Sequence, residues 1–330
     1  MSTKLDSSLF VDVADAIGLG NPAIVEKDYY VVQLLKHLSI IEFEHHQLVF
    51  TGGTALAKSV IKTYRMSEDI DIKLVPNNVF NNLTSRSARR KARKAVKQHI
   101  EFLISEGGTF SIEEQATVKD EYRYFSFDIR YPQAYQQAPC LRPFIKLEFI
   151  ESDLLDEAES KSIQSIYAEV LKSDIEVKNM ECAAILETQA EKLLSMMRRT
   201  ASVARNHERD DDETLIRHIY DTYHIQKAQP ANIEALSNVV TIAIELDVER
   251  FGNQHPQMVE SPIDELCFGL QLLTDDPKFE ERYNSYVSPM VYAESPVNWD
   301  NALAVFTKLA NEVFQCIRED SLNRPDFSRH

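Results

Sequence analysis

Two aspartates one residue apart, Asp69 and Asp71, are the most chemically suggestive feature of this 330-residue chain. They alternate with Ile70, Ile72 and Leu74, a period of two that predicts a strand. Alternate strand residues face one side, so both carboxylates would project together while the isoleucines enter a core. Like charges held so close repel unless a cation lies between them. Hard oxygen ligands suit Mg²⁺ or Mn²⁺, which commonly share their coordination with substrate phosphates. Glu148 alternates within Phe144–Ile150 so that it shares a face with Lys146, and it would complete a three-carboxylate set. Asp128, in the next alternating segment upstream, competes for that third place. A set of this kind can hold two metal ions that activate an attacking hydroxyl and steady the leaving oxygen.

The elements that must position these acids follow from the neighbouring residues. Gln47–Phe50 reads as a short buried strand, stopped by Gly52-Gly53, with Thr54 opening a helix over 54–64. Paired glycines let backbone approach a phosphate closely, and a new helix N-terminus offers free N–H groups to an anion. Helices are predicted over 8–17 and 22–41, the second starting at Pro22, where a missing N–H costs nothing. Strands fit 122–131 and 143–150, with the aromatics Tyr122, Tyr124, Phe125, Phe127 and Tyr131 read as sheet core. A helix covers 84–106, and from about 181 helical spacing dominates, over 181–204, 211–227, 231–247, 259–273 and 298–319. The fold class expected is α/β (α+β): a mixed-sheet unit over 1–175, then a helical unit over 176–330.

Other chemistries lack their residues. No His-Glu-x-x-His string, G-x-S-x-G elbow, Walker loop or G-x-G-x-x-G fingerprint occurs. Cys140, Cys182, Cys267 and Cys316 form no C-x-x-C and read as reduced thiols of a cytoplasmic protein. The N-terminal segment lacks a secretory pattern, and no apolar run is long enough to span a bilayer.

A strand, a G-G-T turn, a helix, D-h-D and a later h-E-h together resemble the DNA polymerase β-type nucleotidyltransferase superfamily. Within it, Arg65-Met66-Ser67-Glu68-Asp69-Ile70-Asp71 resembles the R-x-S-E-D-I-D signature of the AbiEii/AbiGii-type toxin nucleotidyltransferases. Glu26-Lys27-Asp28-Tyr29, Glu187–Arg198 and Arg217–Tyr223 resemble further motifs of that group, so the likeness covers about residues 20–225. It implies a nucleotidyltransferase domain over 1–175 and the toxin of a toxin–antitoxin system, with a cognate antitoxin as partner. Gly52, Gly53 and Thr54 would cradle an NTP triphosphate, with Arg65 and Ser67 facing the nucleotide. Asp69, Asp71 and Glu148 would be the metal ligands and catalytic carboxylates. Lys192 would contact the phosphates from its helix, and Asp221 would be the acid of the last motif. That motif usually begins R-D, whereas this chain has Arg217-His218. The acceptor implied is the 3′ end of tRNA. A small molecule, a protein hydroxyl, or a non-enzymatic nucleotide-binding role are the alternatives.

The formal net charge of -16 argues at first against a polyanionic partner. Resolved along the chain, however, residues 1–175 hold 25 acids and 21 bases, whereas the stretch after 230 holds 17 acids and 7 bases. No acid occurs between Asp71 and Glu101, while Arg86, Arg89, Arg90, Lys91, Arg93, Lys94 and Lys97 fall within twelve residues. Screening over ~8–10 Å lets such a patch act apart from distant acids. The segment 86–97, with Arg198, Arg199 and Arg205, is therefore where tRNA contacts are expected.

Overall fold

The computed structural model describes residues 6–137, 141–207 and 210–323; Cys140 lies outside them. Eight strands form one mixed sheet: β1 (His46–Thr51), β2 (Ile70–Pro76), β3 (Ser111–Ile112), β4 (Thr117–Lys119), β5 (Tyr124–Arg130), β6 (Ile145–Glu151), β7 (Glu159–Ile163) and β8 (Val177–Cys182). Their order is β3-β5-β6-β2-β1-β8-β7, with β4 also on β5. β2 runs parallel to β6 and β1 parallel to β8, and the other pairings are antiparallel.

The register explains the alternation seen in the sequence. One row across four strands is Phe50, Ile72, Phe149 and Phe125, none of them measurably exposed. The neighbouring row, on the opposite face, is Thr51, Asp71, Glu148 and Ser126. Residues in register lie side by side on one face, so the sheet has an apolar side and a polar side.

Six helices belong to the same unit: α1 (Leu9–Ala16), α2 (Pro22–Leu38), α3 (Gly52–Ala55), α4 (Asn78–Asn81), α5 (Arg86–Glu106) and α6 (Ile166–Val170). Val31, Leu34, Leu35 and Leu38 of α2 and Val96, Ile100 and Ile104 of α5 close over the apolar face as a single core. Asn21 caps α2 by accepting from Ala23 N, and Ser85 caps α5 by accepting from Ala88 N.

Two compact units divide the chain, residues 1–183 with 290–293, and residues 184–289 with 294–330. The expected division after 175 falls before β8, which pairs with β1 and β7 and so extends the first unit. The helix expected from 181 accordingly starts at Ile185, after Ala183 N has donated to the Phe50 carbonyl at 2.9 Å. The second unit holds α7 (Ile185–Ala204), α8 (Arg217–Ala228), α9 (Ile233–Phe251), α10 (Pro256–Glu260), α11 (Pro262–Asp275), α12 (Lys278–Tyr286) and α13 (Trp299–Asn323). α7 is its centre, packed against α8, α9 and α11. Among the described residues, no helix is long and apolar enough to cross a membrane.

Gly269 fixes the closest of these contacts. A Cβ there would stand 2.1 Å from the Met197 carbonyl oxygen, a backbone atom of α7 that cannot turn aside. Gly269→Ala should therefore separate α11 from α7 and lower unfolding stability by about 1–3 kcal/mol, the usual cost of overpacking. Denaturant unfolding checks this.

Candidate active site

Asp71 sits at the junction of β1, β2 and the turn that follows β1. Gly52 has a φ of +79°, and a Cβ on it would stand 2.2 Å from Asp71 Oδ2. The first glycine of the pair is thus required twice, for its left-handed backbone and for the space the carboxylate fills. Gly53 follows it within α3. The helix expected over 54–64 is shorter: α3 is a single turn, continued by a π-helical turn at Leu56–Val60, and Ile61 is extended. Ser59 Oγ donates to the Ala55 carbonyl at 2.5 Å, a local bond that competes with regular α geometry. Such π turns are frequent at functional sites.

The signature segment is held from several sides. Buried Thr54 donates its hydroxyl to the Asp69 carbonyl and is 2.9 Å from Ser67 Oγ. Thr54 and Ser67, expected at the nucleotide, therefore join the glycine turn to the aspartate strand. Arg65 is buried, and its Nη1 donates to the Met66 carbonyl at 2.9 Å. Residues 290–293 return to this loop: Met66 N donates to the Met290 carbonyl and Tyr292 N to the Tyr64 carbonyl, both at 2.9 Å.

The motif Glu26-Lys27-Asp28 supplies three buried charges that serve three different loops. Lys27 Nζ is 2.6 Å from Glu68 Oε2. Burial lowers the Lys27 pKa, and the Glu68 charge opposes that shift. Glu26 accepts from Ala134 N at 2.7 Å, though burial still raises its carboxyl pKa. Asp28 accepts from Ile166 N at 2.6 Å and pairs with Lys58.

Glu148 stands in register with Asp71, as its strand spacing suggested. Its carboxylate is 3.1 Å from Lys146 Nζ and accepts a hydrogen bond from the Tyr124 hydroxyl. Burial first, and then that bond to Glu148, push the Tyr124 pKa up, so the phenol stays a donor. Tyr124, assigned from the sequence to the sheet core, is thus a polar partner of the acidic row, whereas Phe125 and Phe127 are core. Asp128, the competitor for the third place, lies opposite Lys146 instead. Asp69 Oδ1 accepts from Arg142 Nη1, a residue that no sequence pattern picked out.

A divalent cation fits the chemistry of this donor set, because Asp69, Asp71 and Glu148 offer hard anionic oxygens. Two of the three are held by cations of the chain, Arg142 on Asp69 and Lys146 on Glu148. Among the described residues, no group of three or more His, Cys, Asp or Glu side chains is gathered closely enough to ligate a metal as it stands.

In the second unit, Lys192 and Asp221 form one ion pair, at 2.8 Å and almost fully buried. Two motif residues far apart in sequence thereby become a single feature. His218, where the group has an acid, has its Nδ1 shut off from solvent without a hydrogen-bond partner. Burial, then the Lys192 charge, push its pKa well below the ordinary value, so a neutral ring occupies that position.

The basic helix is only partly a surface. Arg93 is buried and forms a bidentate pair with Glu151, both bonds at 2.7 Å, so it cannot meet RNA. Arg89 is half-buried, with Nε donating to the Leu83 carbonyl at 2.9 Å. Arg86, Arg90, Lys91 and Lys94 remain exposed. Arg198, Arg199 and Arg205 are each paired with a carboxylate of their own unit, Asp247, Asp212 and Glu265. Neutralised in this way, they do not form the basic surface expected of them.

The chain belongs to the AbiEii nucleotidyl transferase toxin family, type IV TA system, whose model matches residues 33–305. It is an enzyme of the nucleotidyltransferase class. In fold it is similar to MenT4, a nucleotidyltransferase toxin from Mycobacterium tuberculosis, with a TM-score of 0.61 and 18% identity over 96% of this chain and 90% of that one. JHP933 from Helicobacter pylori also matches, with a TM-score of 0.43 and 13% identity over 91% and 95% of the two chains. No curated protein matches the chain in sequence.

The Arg93–Glu151 pair makes a pH prediction. Burial alone would raise the Glu151 pKa, but hydrogen bonds from His46 and Arg93 and their charges bring it from 4.5 to about 2. A depressed carboxylate contributes stability that is present above its unfolded pKa and lost as pH falls through its folded pKa. The stability advantage of wild type over Glu151→Gln should thus be full above pH 4.5 and shrink towards pH 2. Urea unfolding along a pH series checks it. Arg93→Glu should unfold the sheet unit before it says anything about RNA.

Proposed function

We propose that this enzyme transfers a nucleoside monophosphate from an NTP to the 3′ end of tRNA, as the toxin of its toxin–antitoxin pair. The observation that carries the reading is the polar row Thr51, Asp71, Glu148 and Ser126, running beside a glycine turn that has no room for a side chain. In the transfer, the acceptor hydroxyl oxygen bonds to the α-phosphorus, the bond to the β-phosphate oxygen breaks, and pyrophosphate leaves. Asp69, Asp71 and Glu148 would hold a divalent cation, which when bound supplies charge stabilisation at the phosphates. Glu148, already a hydrogen-bond acceptor for Tyr124, is the carboxylate to take the hydroxyl proton. Gly52 and Gly53 let the triphosphate approach the backbone, and positioning supplies much of the remaining rate. Lys192, which pairs with Asp221 in the second unit, is the lysine that the family resemblance assigns to the phosphates.

For tRNA, the exposed bases Arg90, Lys91 and Lys94 of α5 are the docking residues, whereas Arg86, also exposed, is paired with Glu121. Arg90 also lies over the Tyr122 ring, 5.9 Å from its centroid. Lysine and arginine gain affinity for nucleic acid by releasing its counterions.

The test is transfer from each α-labelled NTP, with Mg²⁺, to total tRNA, to protein and to an aminoglycoside in separate reactions. Label should appear on tRNA, and Asp69→Asn or Asp71→Asn should lower it at least about 100-fold, as expected for losing several kcal/mol of charge stabilisation. Lys91→Glu with Lys94→Glu should weaken tRNA labelling more at low salt than at high, because salt screens the contacts that the reversal removes. Label on protein or drug instead would move the acceptor, and full activity in the aspartate variants would overturn the catalytic assignment.

A further inference from the structure

Arg142 has a clamped backbone and a partly exposed head. Its N–H donates to Glu68 Oε2 at 2.9 Å, and its carbonyl accepts from Lys27 Nζ at 2.7 Å. Both of its main-chain polar atoms therefore terminate on the buried Lys27–Glu68 pair. On one side Leu141 is packed with Ile24, Met66 and Met290, and on the other Pro143 restricts the chain. The guanidinium, one-third exposed, reaches Asp69 Oδ1, on the residue directly after Glu68. One carboxylate thus fixes where Arg142 begins, and the next receives its charge.

We infer that Arg142 is a positioning residue that acts as the resident counter-ion of Asp69 and competes with the divalent cation for that carboxylate. The inference rests on the metal reading above. A planar fork suits phosphate as well as carboxylate. When the cation takes Asp69, the guanidinium is released while its backbone stays anchored, and it then serves the incoming triphosphate. Loading of cation and nucleotide would in this way be coupled, since each removes an obstacle to the other.

The measurement is Mn²⁺ binding to the full chain without nucleotide, followed by paramagnetic resonance, together with kcat and KM for the NTP. Arg142→Gln should bind Mn²⁺ about fivefold tighter, the size expected for losing a partly exposed ion pair. Its KM for NTP should rise about tenfold, with kcat changing less. Arg142→Lys keeps the charge but not the fork, so its Mn²⁺ affinity should fall between the two and its KM should recover only in part. Mn²⁺ binding in Arg142→Gln that is no tighter than wild type overturns the inference and leaves the metal reading intact. Absence of Mn²⁺ binding in every protein overturns both. Should Arg142→Gln fail to fold, Arg142→Lys decides, and an affinity equal to wild type overturns the inference.

Discussion

A lysine and a glutamate with almost no exposure, Lys27 and Glu68, hold the first unit's site together. Burying two charges is expensive, and their attraction offsets the cost only when further hydrogen bonds satisfy them. Here those bonds come from the backbone of Arg142, so the pair ties three distant stretches of chain into one position. Glu68 also lies directly before the aspartate strand. Moving it would carry Asp69 with it, and through the Asp69 carbonyl would strain the bond from Thr54 that anchors the glycine turn.

The same logic explains why Glu26, Lys27 and Asp28 stand consecutively on α2. Successive helix residues point about 100° apart, so three in a row serve three directions. Each reaches a different loop, at Ala134, Glu68 and Ile166 respectively. A string that resembles a family motif is here the wiring that sets the loops around the sheet. The acidic row can then be short, because the sheet register places Asp71 beside Glu148 without further help.

What the sequence made legible was periodic or local. The alternation through Ile70–Leu74 and Phe144–Ile150 predicted both faces of the sheet, and the register bears it out. Strands β3 and β4 carry too few residues for a period to emerge, β7 has a single apolar residue, and only the last two residues of β8 fall within the helix expected from 181. Asp71 and Glu148 were found because a strand displays its side chains at a fixed spacing. Arg142 and the polar role of Tyr124 were not, since both depend on which strands become neighbours. Burial also decides charge in ways that composition cannot: Arg93 belongs to a basic run yet is an internal partner of Glu151. The acidity of the second unit is likewise partly consumed, in pairs such as Arg198–Asp247 and Arg205–Glu265. A net charge of -16 therefore describes the chain as a whole and not the face that α5 exposes.

Amide hydrogen exchange in Lys27→Met tests most directly whether the buried pair organises the site. Removing the lysine leaves Glu68 without its ammonium and Arg142 without the donor to its carbonyl. The account predicts that protection falls in 65–69 and 141–143, Arg142 N–H included, while the β1, β2, β5 and β6 amides stay protected. Unchanged exchange in both loops, with the variant folded, would contradict it.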